Sequence, residues 1–243
     1  NKKKNKAFGV KCAWLEPGGS PYLASLRMDQ AKNWEEFREA CNYSNIPGEN
    51  MIWADKNGNI GWQAVGIAPI RNGFSGLVPV PGDGSYEWDG YLPIIEKPNE
   101  FNPNKGFIAT ANQNVTPKDY KNWNAIGYSW SDPYRGDRVN EFLNNDNDLN
   151  MEKMKKLQTD VMSLPAKILI PYLKNISFEK KENEIKNILI NWDFRLNSNS
   201  IAASIYVSWE NEIKKQAFNK FVPDVGKKYI TSIQLKKIID WIQ

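Results

Sequence analysis

Two residue types that often take part in catalysis are scarce in this 243-residue chain, which has two cysteines and no histidine. Without histidine, the chain cannot supply a Ser-His-Asp triad or a histidine-based metal site. Cys12 and Cys41 could pair or could stay free, and each lies in an apolar pattern that favours a free thiol. Any catalysis must therefore run on other chemistry.

Polar residues that could take part in a reaction lie instead within short motifs of the first 140 residues. The motifs, in chain order, are AKNW (31–34), WADKNGNIGW (53–62), PVPG (79–82), WDGYLP (88–93), IATAN (108–112) and GDR (136–138). Each is weak alone; Asn57-Gly58 between apolar residues, for example, is first of all a hairpin turn signal. Their order is more informative than any one of them.

Taken together, these motifs resemble the pattern of the penicillin amidase family of N-terminal-nucleophile hydrolases. Residues 157–173 and 191–209 are also similar to family members, so the resemblance covers nearly the whole chain. Family β-chains begin well before the first residue of this sequence and continue well past its last. The resemblance therefore implies the central part of a β-chain, with both ends artificial, proteolytic or produced by division into chains.

The resemblance also implies a mechanism that needs neither histidine nor a cofactor. In this family the nucleophile is a serine at the start of the mature β-chain, released by self-cleavage of a precursor, and its free α-amino group is the base. An α-amino group has an unperturbed pKa of about 8, so it can accept a proton near neutral pH. That serine segment is not found in this sequence, and the chain alone is expected to be inactive.

By resemblance, the oxyanion-hole donor is Asn112, whose side-chain amide would stabilise the negative charge of the tetrahedral intermediate. Loss of such a donor typically lowers kcat by about 10² to 10³. The family motif has two adjacent asparagines, whereas this chain reads Asn112-Gln113-Asn114. Asn114 is thus an alternative, although the spacing from Ile108 favours Asn112. Without the motif, Asn112 would be read as a residue that caps a strand end.

Arg138 matches the family arginine that lies beside the active site and helps to orient the nucleophile and its amine. Arg135 and Arg138 are also well placed for salt bridges with Asp132 or Asp137, and both roles can coexist. The resemblance makes Glu49 a substrate-binding candidate, because it aligns with an acyl-pocket position that is apolar in phenylacetyl-preferring members. A carboxylate there disfavours an apolar acyl group unless it is paired. Alternatively, Glu49 faces solvent and caps a strand.

Family members often hold a structural calcium ion, and the aligned ligand positions in this chain read Asn124 and Gly76. They replace an acidic residue and a proline. Because Ca²⁺ sites depend on carboxylate charge, a neutral amide lowers cation affinity. We therefore expect no metal site in this chain.

The elements that must position these residues fall into two parts. Strand-like runs separated by turn residues predict a strand-rich part at residues 1–139, and helical periodicity predicts a helical region at 140–243. By resemblance, the first is part of an αββα core of stacked antiparallel sheets and the second is an added helical layer. The expected fold class is α+β.

Local signals predict particular elements in the strand-rich part. Asn33 followed by Glu36 is a capping-box arrangement and predicts the start of a helix. Asn57-Gly58 suits a two-residue type I′ turn, which predicts a hairpin of residues 51–55 with residues 60–66.

In the helical part, Asn150 is placed to cap a helix that Pro165 ends or kinks. The apolar residues that define this predicted helix are Met154, Leu157, Val161 and Leu164. Similar apolar stripes predict helices over residues 185–192, 201–217 and 232–243.

Composition limits the partners. A hydrophobic share of 41% is typical of a globular protein, and 32 basic against 28 acidic residues give a charge of only +4, too small to imply a nucleic-acid partner. No run of about 18 apolar residues is present, so no membrane span is expected. By resemblance, the partners are a small-molecule amide and the remaining α-chain and β-chain segments of the same precursor, in a periplasmic or secreted enzyme.

Three functions remain open. The first is a penicillin-amidase-like hydrolase that cleaves a linear amide to a carboxylic acid and an amine through an acyl-enzyme. The second is an acyl-homoserine-lactone or fatty-amide acylase of the same fold, with a different pocket length. The third is a non-catalytic relative that acts as a binding module.

Overall fold

A computed structural model describes residues 6–146 and 148–243. They form two compact units: unit 1 contains residues 6–110 and 115–129, and unit 2 contains residues 111–114 and 130–243. Residues 1–5 and 147 fall within the two predicted domains but lie outside the described residues. The division into domains at residues 139 and 140 stays a prediction.

Unit 1 combines short helices with two small antiparallel sheets. Its helices and strands are α1 Ser25–Met28, α2 Trp34–Cys41, β1 Asn50–Ala54, β2 Ile60–Ala64, β3 Ala68–Arg71, β4 Trp88–Leu92, β5 Asn99–Phe101 and α3 Trp123–Ile126. One sheet has the order β1-β2-β5, and the other pairs β3 with β4. Together with the helices of unit 2, this confirms the α+β class.

Helix α2 begins where the capping signal predicts. The Asn33 side chain accepts the Glu36 backbone N–H at 2.9 Å, and the Glu36 carboxylate accepts the Lys32 backbone N–H at 2.9 Å. These bonds satisfy donors at the helix start that have no partner inside the helix. The helix buries an apolar face in the core of unit 1, made of Trp34, Phe37, Ala40 and Cys41.

The predicted hairpin is confirmed, because β1 and β2 pair in antiparallel register, but its turn differs from the prediction. The connection spans residues 55–59. Within it, the Asp55 carboxylate accepts the backbone N–H groups of Asn57 at 2.8 Å and Asn59 at 3.0 Å. Gly58 has a φ of 86°, whereas Asn57 is not in the left-handed region. The two-residue type I′ turn is wrong because the Asp55 side chain organises a longer loop.

Unit 2 is helical. Its helices are α4 Tyr134–Asn145, α5 Met151–Gln158, α6 Leu164–Leu169, α7 Lys180–Ile190, α8 Ile201–Phe221, α9 Asp224–Lys227 and α10 Leu235–Ile242. Tyr206 of α8 is almost fully buried. The core around it joins α6, α7, α8 and their connections, and contains Ala166, Ile170, Leu173, Leu189, Trp192, Ala202 and Ala203.

The predicted helix from Asn150 to Pro165 is two helices. The Asn150 side chain caps α5 as predicted, but α5 ends at Gln158. Ser163 then caps α6, and Pro165 lies in the first turn of α6. Proline is tolerated in a first turn because the N–H that it lacks has no partner there. Pro165 therefore opens a helix and does not close one.

Both cysteines are free, as predicted; Cys12 is exposed and Cys41 is buried. Burial raises the pKa of the Cys41 thiol to about 12, although the charge of Arg38 opposes this shift. Over residues 6–146 and 148–243, no helix has both the length and the apolar character needed to cross a membrane.

Candidate active site

Asn112 lies in the segment 111–114, which belongs to unit 2 although the chain on either side of it belongs to unit 1. Its φ of 65° is in the left-handed region, which asparagine tolerates better than most residues with a β-carbon. Its carbonyl oxygen accepts the Ser131 backbone N–H at 3.1 Å. Its side chain is exposed. An unusual backbone conformation thus presents an amide at the surface of unit 2.

One hydrogen bond sets the orientation of the Asn112 amide. Nη2 of Arg135, in the first turn of α4, donates to its Oδ1 at 2.5 Å. A guanidinium only donates hydrogen bonds, so the oxygen end of the amide must face it. The Nδ2 end makes no hydrogen bond with the residues that the structure describes. Asn112 is therefore arranged as a donor.

The sequence alone did not single out Arg135 as a site residue, and suggested only a carboxylate partner for it. Its contact with Asn112 joins positions 23 residues apart in the chain. A contact of that separation has no periodic or motif signal of its own. The one available hint was the adjacency of Arg135 to the GDR motif.

Gln113, where the family motif has a second asparagine, holds the segment 111–114 in place. Its Oε1 accepts the Ala111 backbone N–H at 2.6 Å. Its side chain also lies against Gly136, so that a β-carbon at position 136 would collide with it. The glycine of the GDR motif thus makes room for the side chain that follows Asn112.

Arg138 forms a partly buried ion-pair network. Its Nε donates to Asp160 at 2.5 Å, and its Nη1 donates to Glu141 at 3.0 Å. The salt bridges that the sequence suggested, to Asp132 or Asp137, are therefore wrong for Arg138. Arg138 has the structural role that was one of its two predicted roles. Its catalytic role stays a prediction.

Asp160 is the centre of this network. Its second oxygen accepts Arg195 at 3.0 Å, and the Met162 backbone N–H also donates to it. Burial raises the pKa of the Asp160 carboxyl, but the bonds and charge of Arg138, together with the other donors, outweigh burial and hold the pKa below its usual value. Asp160 thereby anchors α4 to the connections after α5 and α7.

Asp132, one of the expected salt-bridge partners, caps α10 instead. Its two carboxylate oxygens accept the backbone N–H groups of Leu235 at 3.0 Å and Lys236 at 3.1 Å. The Gln234 side chain adds a bond to the Trp130 carbonyl oxygen. The segment that leads into α4 is therefore fixed by the last helix of the chain.

Glu49 belongs to unit 1 and is exposed just before β1. Its backbone carbonyl accepts the Val65 N–H at 2.8 Å, which extends the pairing of β1 with β2 by one residue. Its carboxylate has no ion pair within the described residues. Its role in substrate binding stays a prediction.

The residues aligned with a calcium site contact other protein groups. The Asn124 amide donates to the Asn72 side chain at 3.0 Å, and Gly76 lies against the cationic side chain of Arg71. The expectation that this chain holds no calcium ion stays a prediction. Over residues 6–146 and 148–243, no group of three His, Cys, Asp or Glu residues is arranged to hold a metal.

Comparison with known proteins places this geometry in context. The family model described as Penicillin amidase matches residues 1–242. The acyl-homoserine lactone acylase QuiP of Pseudomonas syringae pv. syringae is 35% identical over 80% of the chain and 25% of its own length. Penicillin G acylase of Escherichia coli is 28% identical over 77% of the chain and 23% of its own length. The chain thus spans about a quarter of the length of these curated relatives.

A solved structure shows the fold. The thermostable penicillin G acylase from Alcaligenes faecalis matches 90% of the chain and 41% of its own chain with a TM-score of 0.73, at 23% identity. The small antiparallel sheets and the helices described above therefore belong to the fold of that acylase.

Proposed function

The chain belongs to the penicillin amidase family, and from this premise we propose that it supplies the oxyanion-hole donor of an enzyme that hydrolyses a linear amide. The products are a carboxylic acid and an amine. The nucleophile is an N-terminal serine elsewhere in the full-length protein, freed by self-cleavage of a precursor. The remaining α-chain and β-chain segments are its partners, the enzyme is exported, and no cofactor takes part.

The observation that supports this proposal is the state of the Asn112 amide. Arg135 occupies its oxygen, and no described residue hydrogen-bonds its Nδ2 end. In the proposed reaction the serine oxygen attacks the amide carbonyl while the α-amino group takes its proton. Negative charge then develops on the carbonyl oxygen, and Nδ2 of Asn112 donates to it. Arg138 orients the nucleophile and its amine from the same helix that carries Arg135.

The test is Asn112→Ala in the full-length, processed protein. We expect kcat to fall by about 10² to 10³ with little change in KM, because the donor acts on charge that exists only in the transition state. Asn114→Ala is the matched comparison, since Asn114 is the alternative donor. Turnover near the wild-type level in Asn112→Ala, with a large loss in Asn114→Ala, would transfer the role to Asn114.

The second candidate substrate is an N-acyl-homoserine lactone. It is favoured by the relatives, because QuiP acylases named for that substrate reach 35% identity while the penicillin G acylase of Escherichia coli reaches 28%. A panel of N-acyl-homoserine lactones and phenylacetyl amides separates the two classes by kcat/KM. A preference of tenfold or more for either class decides between them.

Glu49 is the residue that we assign to acyl selectivity in either case. If it lines the acyl pocket, Glu49→Leu should raise kcat/KM for apolar acyl groups by about tenfold, because an unpaired carboxylate disfavours apolar contact. An unchanged selectivity profile would leave Glu49 as an exposed residue at the start of β1.

A further inference from the structure

An asparagine can serve as a donor only if its amide is turned the right way. The oxygen and nitrogen ends of the amide are nearly equal in shape, so a half-turn about the last side-chain bond exchanges a donor for an acceptor. In an oxyanion hole, the flipped form would place a partially negative oxygen against a developing negative charge. Something must therefore favour one orientation of Asn112 over the other.

Arg135 is the group that meets this need. Its Nη2 lies 2.5 Å from Oδ1 of Asn112, and no other described side chain hydrogen-bonds the Asn112 amide. Because a guanidinium cannot accept a hydrogen bond, the flipped amide would bring two donors together. A charged donor also makes a stronger hydrogen bond than a neutral one.

Arg135 forms no ion pair with another residue that the structure describes. Arg138, one turn later in α4, is engaged by Asp160 and Glu141, whereas Arg135 has no carboxylate partner within the residues that the structure describes. The two arginines therefore differ in use. Arg138 anchors the helix to the rest of unit 2, and Arg135 contacts the neutral amide of Asn112.

Contacts made by neighbouring residues hold Asn112 and Arg135 close to each other. The Asn112 carbonyl is bound by the Ser131 N–H, and the Gln113 side chain lies against Gly136, the residue that follows Arg135. Both ends of the Arg135 contact are thus held by bonds or packing that do not involve the guanidinium. Removing the guanidinium should free the amide without releasing the segment.

We propose that Arg135 is a positioning residue, which fixes the Asn112 amide so that Nδ2, and not Oδ1, is presented to the oxyanion. This inference rests on the proposed function, because it gives Arg135 a role only through Asn112. It differs from a general electrostatic or structural role for Arg135, since either of those would persist after the Asn112 amide is removed.

A double-mutant cycle in the full-length, processed enzyme separates these roles. We expect Arg135→Met to lower kcat by about tenfold with little change in KM, a loss smaller than the 10² or more expected for Asn112→Ala. In the Asn112→Ala background, Arg135→Met should change kcat by less than about twofold. Arg135→Lys should retain more activity than Arg135→Met, because an ammonium still donates to Oδ1.

Arg27→Met is the matched control. Arg27 is an exposed arginine of unit 1 that pairs with Glu39, far in sequence from the site, and its replacement should leave kcat unchanged. Thermal midpoints of all variants show whether the protein still folds. If Arg135→Met fails to fold, Arg135→Gln, which keeps a polar side chain, takes its place in the cycle.

Equal effects of Arg135→Met in the wild-type and Asn112→Ala backgrounds would overturn the inference while leaving Asn112 as the donor. Unchanged kcat in Arg135→Met would do the same. Wild-type turnover in Asn112→Ala would instead overturn the proposed function, and the inference with it.

Discussion

At the scale of single residues, the residue at position 112 must satisfy two requirements, one of its backbone and one of its side chain. Its left-handed backbone conformation disfavours residues with a β-carbon by about 1 kcal/mol or more, although asparagine and glycine tolerate it best. Its side chain must also be an amide if it is to donate to an oxyanion. Glycine meets only the first demand, and alanine meets neither.

This difference gives a prediction that separates stability from catalysis. Asn112→Gly and Asn112→Ala should lose kcat equally, because both lack the amide, but the glycine variant should be more stable by about 1 kcal/mol. Urea unfolding and steady-state kinetics on the same samples measure both quantities. Equal stabilities would mean that the backbone at position 112 relaxes when the side chain is shortened.

The sequence marked Asn112 as a candidate donor, but it did not mark the arginine that contacts Asn112. The IATAN motif marks Asn112 through family resemblance, and the GDR motif marks Arg138. Arg135 touches Asn112 only because the segment 111–114 packs against the first turn of α4. That packing is a tertiary property, and neither residue type nor spacing reports it.

At the scale of helices and strands, apolar periodicity predicted α7, α8 and α10, but the break between α5 and α6 was marked only by an end signal. The side-chain caps at Asn33 and Asn150 are present as predicted. The apolar spacing through Val161 and Leu164 predicted a single helix, because apolar residues on either side of a break can keep the same spacing. Ser163 before Pro165 was the correct signal of a new helix start.

The break between α5 and α6 contains Asp160, whose ion pairs predict how stability depends on pH. The folded-state pKa of Asp160 is lowered, so the unfolded chain binds its proton more readily. The stabilisation is therefore complete above the ordinary aspartate pKa of about 4, and is lost as the pH falls through the folded value.

We expect Asp160→Asn to lower the free energy of unfolding by about 2 kcal/mol at pH 7, because it leaves Arg138 partly buried without its nearest charge partner. The deficit relative to the wild type should shrink below pH 4. Denaturant titrations at pH 7 and pH 3.5 measure it. Asp119→Asn, at an exposed position, is the control. A deficit that does not change with pH would mean that packing, and not charge, makes Asp160 important.

At the scale of the whole molecule, the α+β class was predictable because turn-rich and helix-periodic sequence fall in different halves of the chain. The composition of the two units was not predictable, because residues 111–114 pack with unit 2 while both their neighbours in sequence pack with unit 1. A segment of four residues is too short for its apolar pattern to show which of the two units it packs with.

The two cysteines offer a measurement of how often the core of unit 1 opens. Burial raises the pKa of the Cys41 thiol to about 12, so its reactive thiolate is scarce at pH 8. Cys12 is exposed. We expect a thiol reagent to label Cys12 at once in the folded protein, and Cys41 only after the core of unit 1 opens.

Cys12→Ser isolates the slower reaction. In this variant, Cys41 should not react with the reagent in buffer and should react fully in concentrated urea. Rapid labelling of the folded variant would show that the core around Cys41 opens without denaturant.

Residues 111–114 pack with unit 2 although they lie within the sequence of unit 1, and this limits how the protein can be divided into two separately expressed halves. A gene split between codons 129 and 130 would encode Asn112 on one polypeptide and Arg135 on the other, although the two residues share one compact unit. The second half would lack residues 111–114 of its own unit, and separately expressed halves would have to reassociate before the amide of Asn112 could contact the guanidinium of Arg135. Complementation between such halves would therefore require residues 111–114 of the first polypeptide to pack into the unit formed by the second polypeptide.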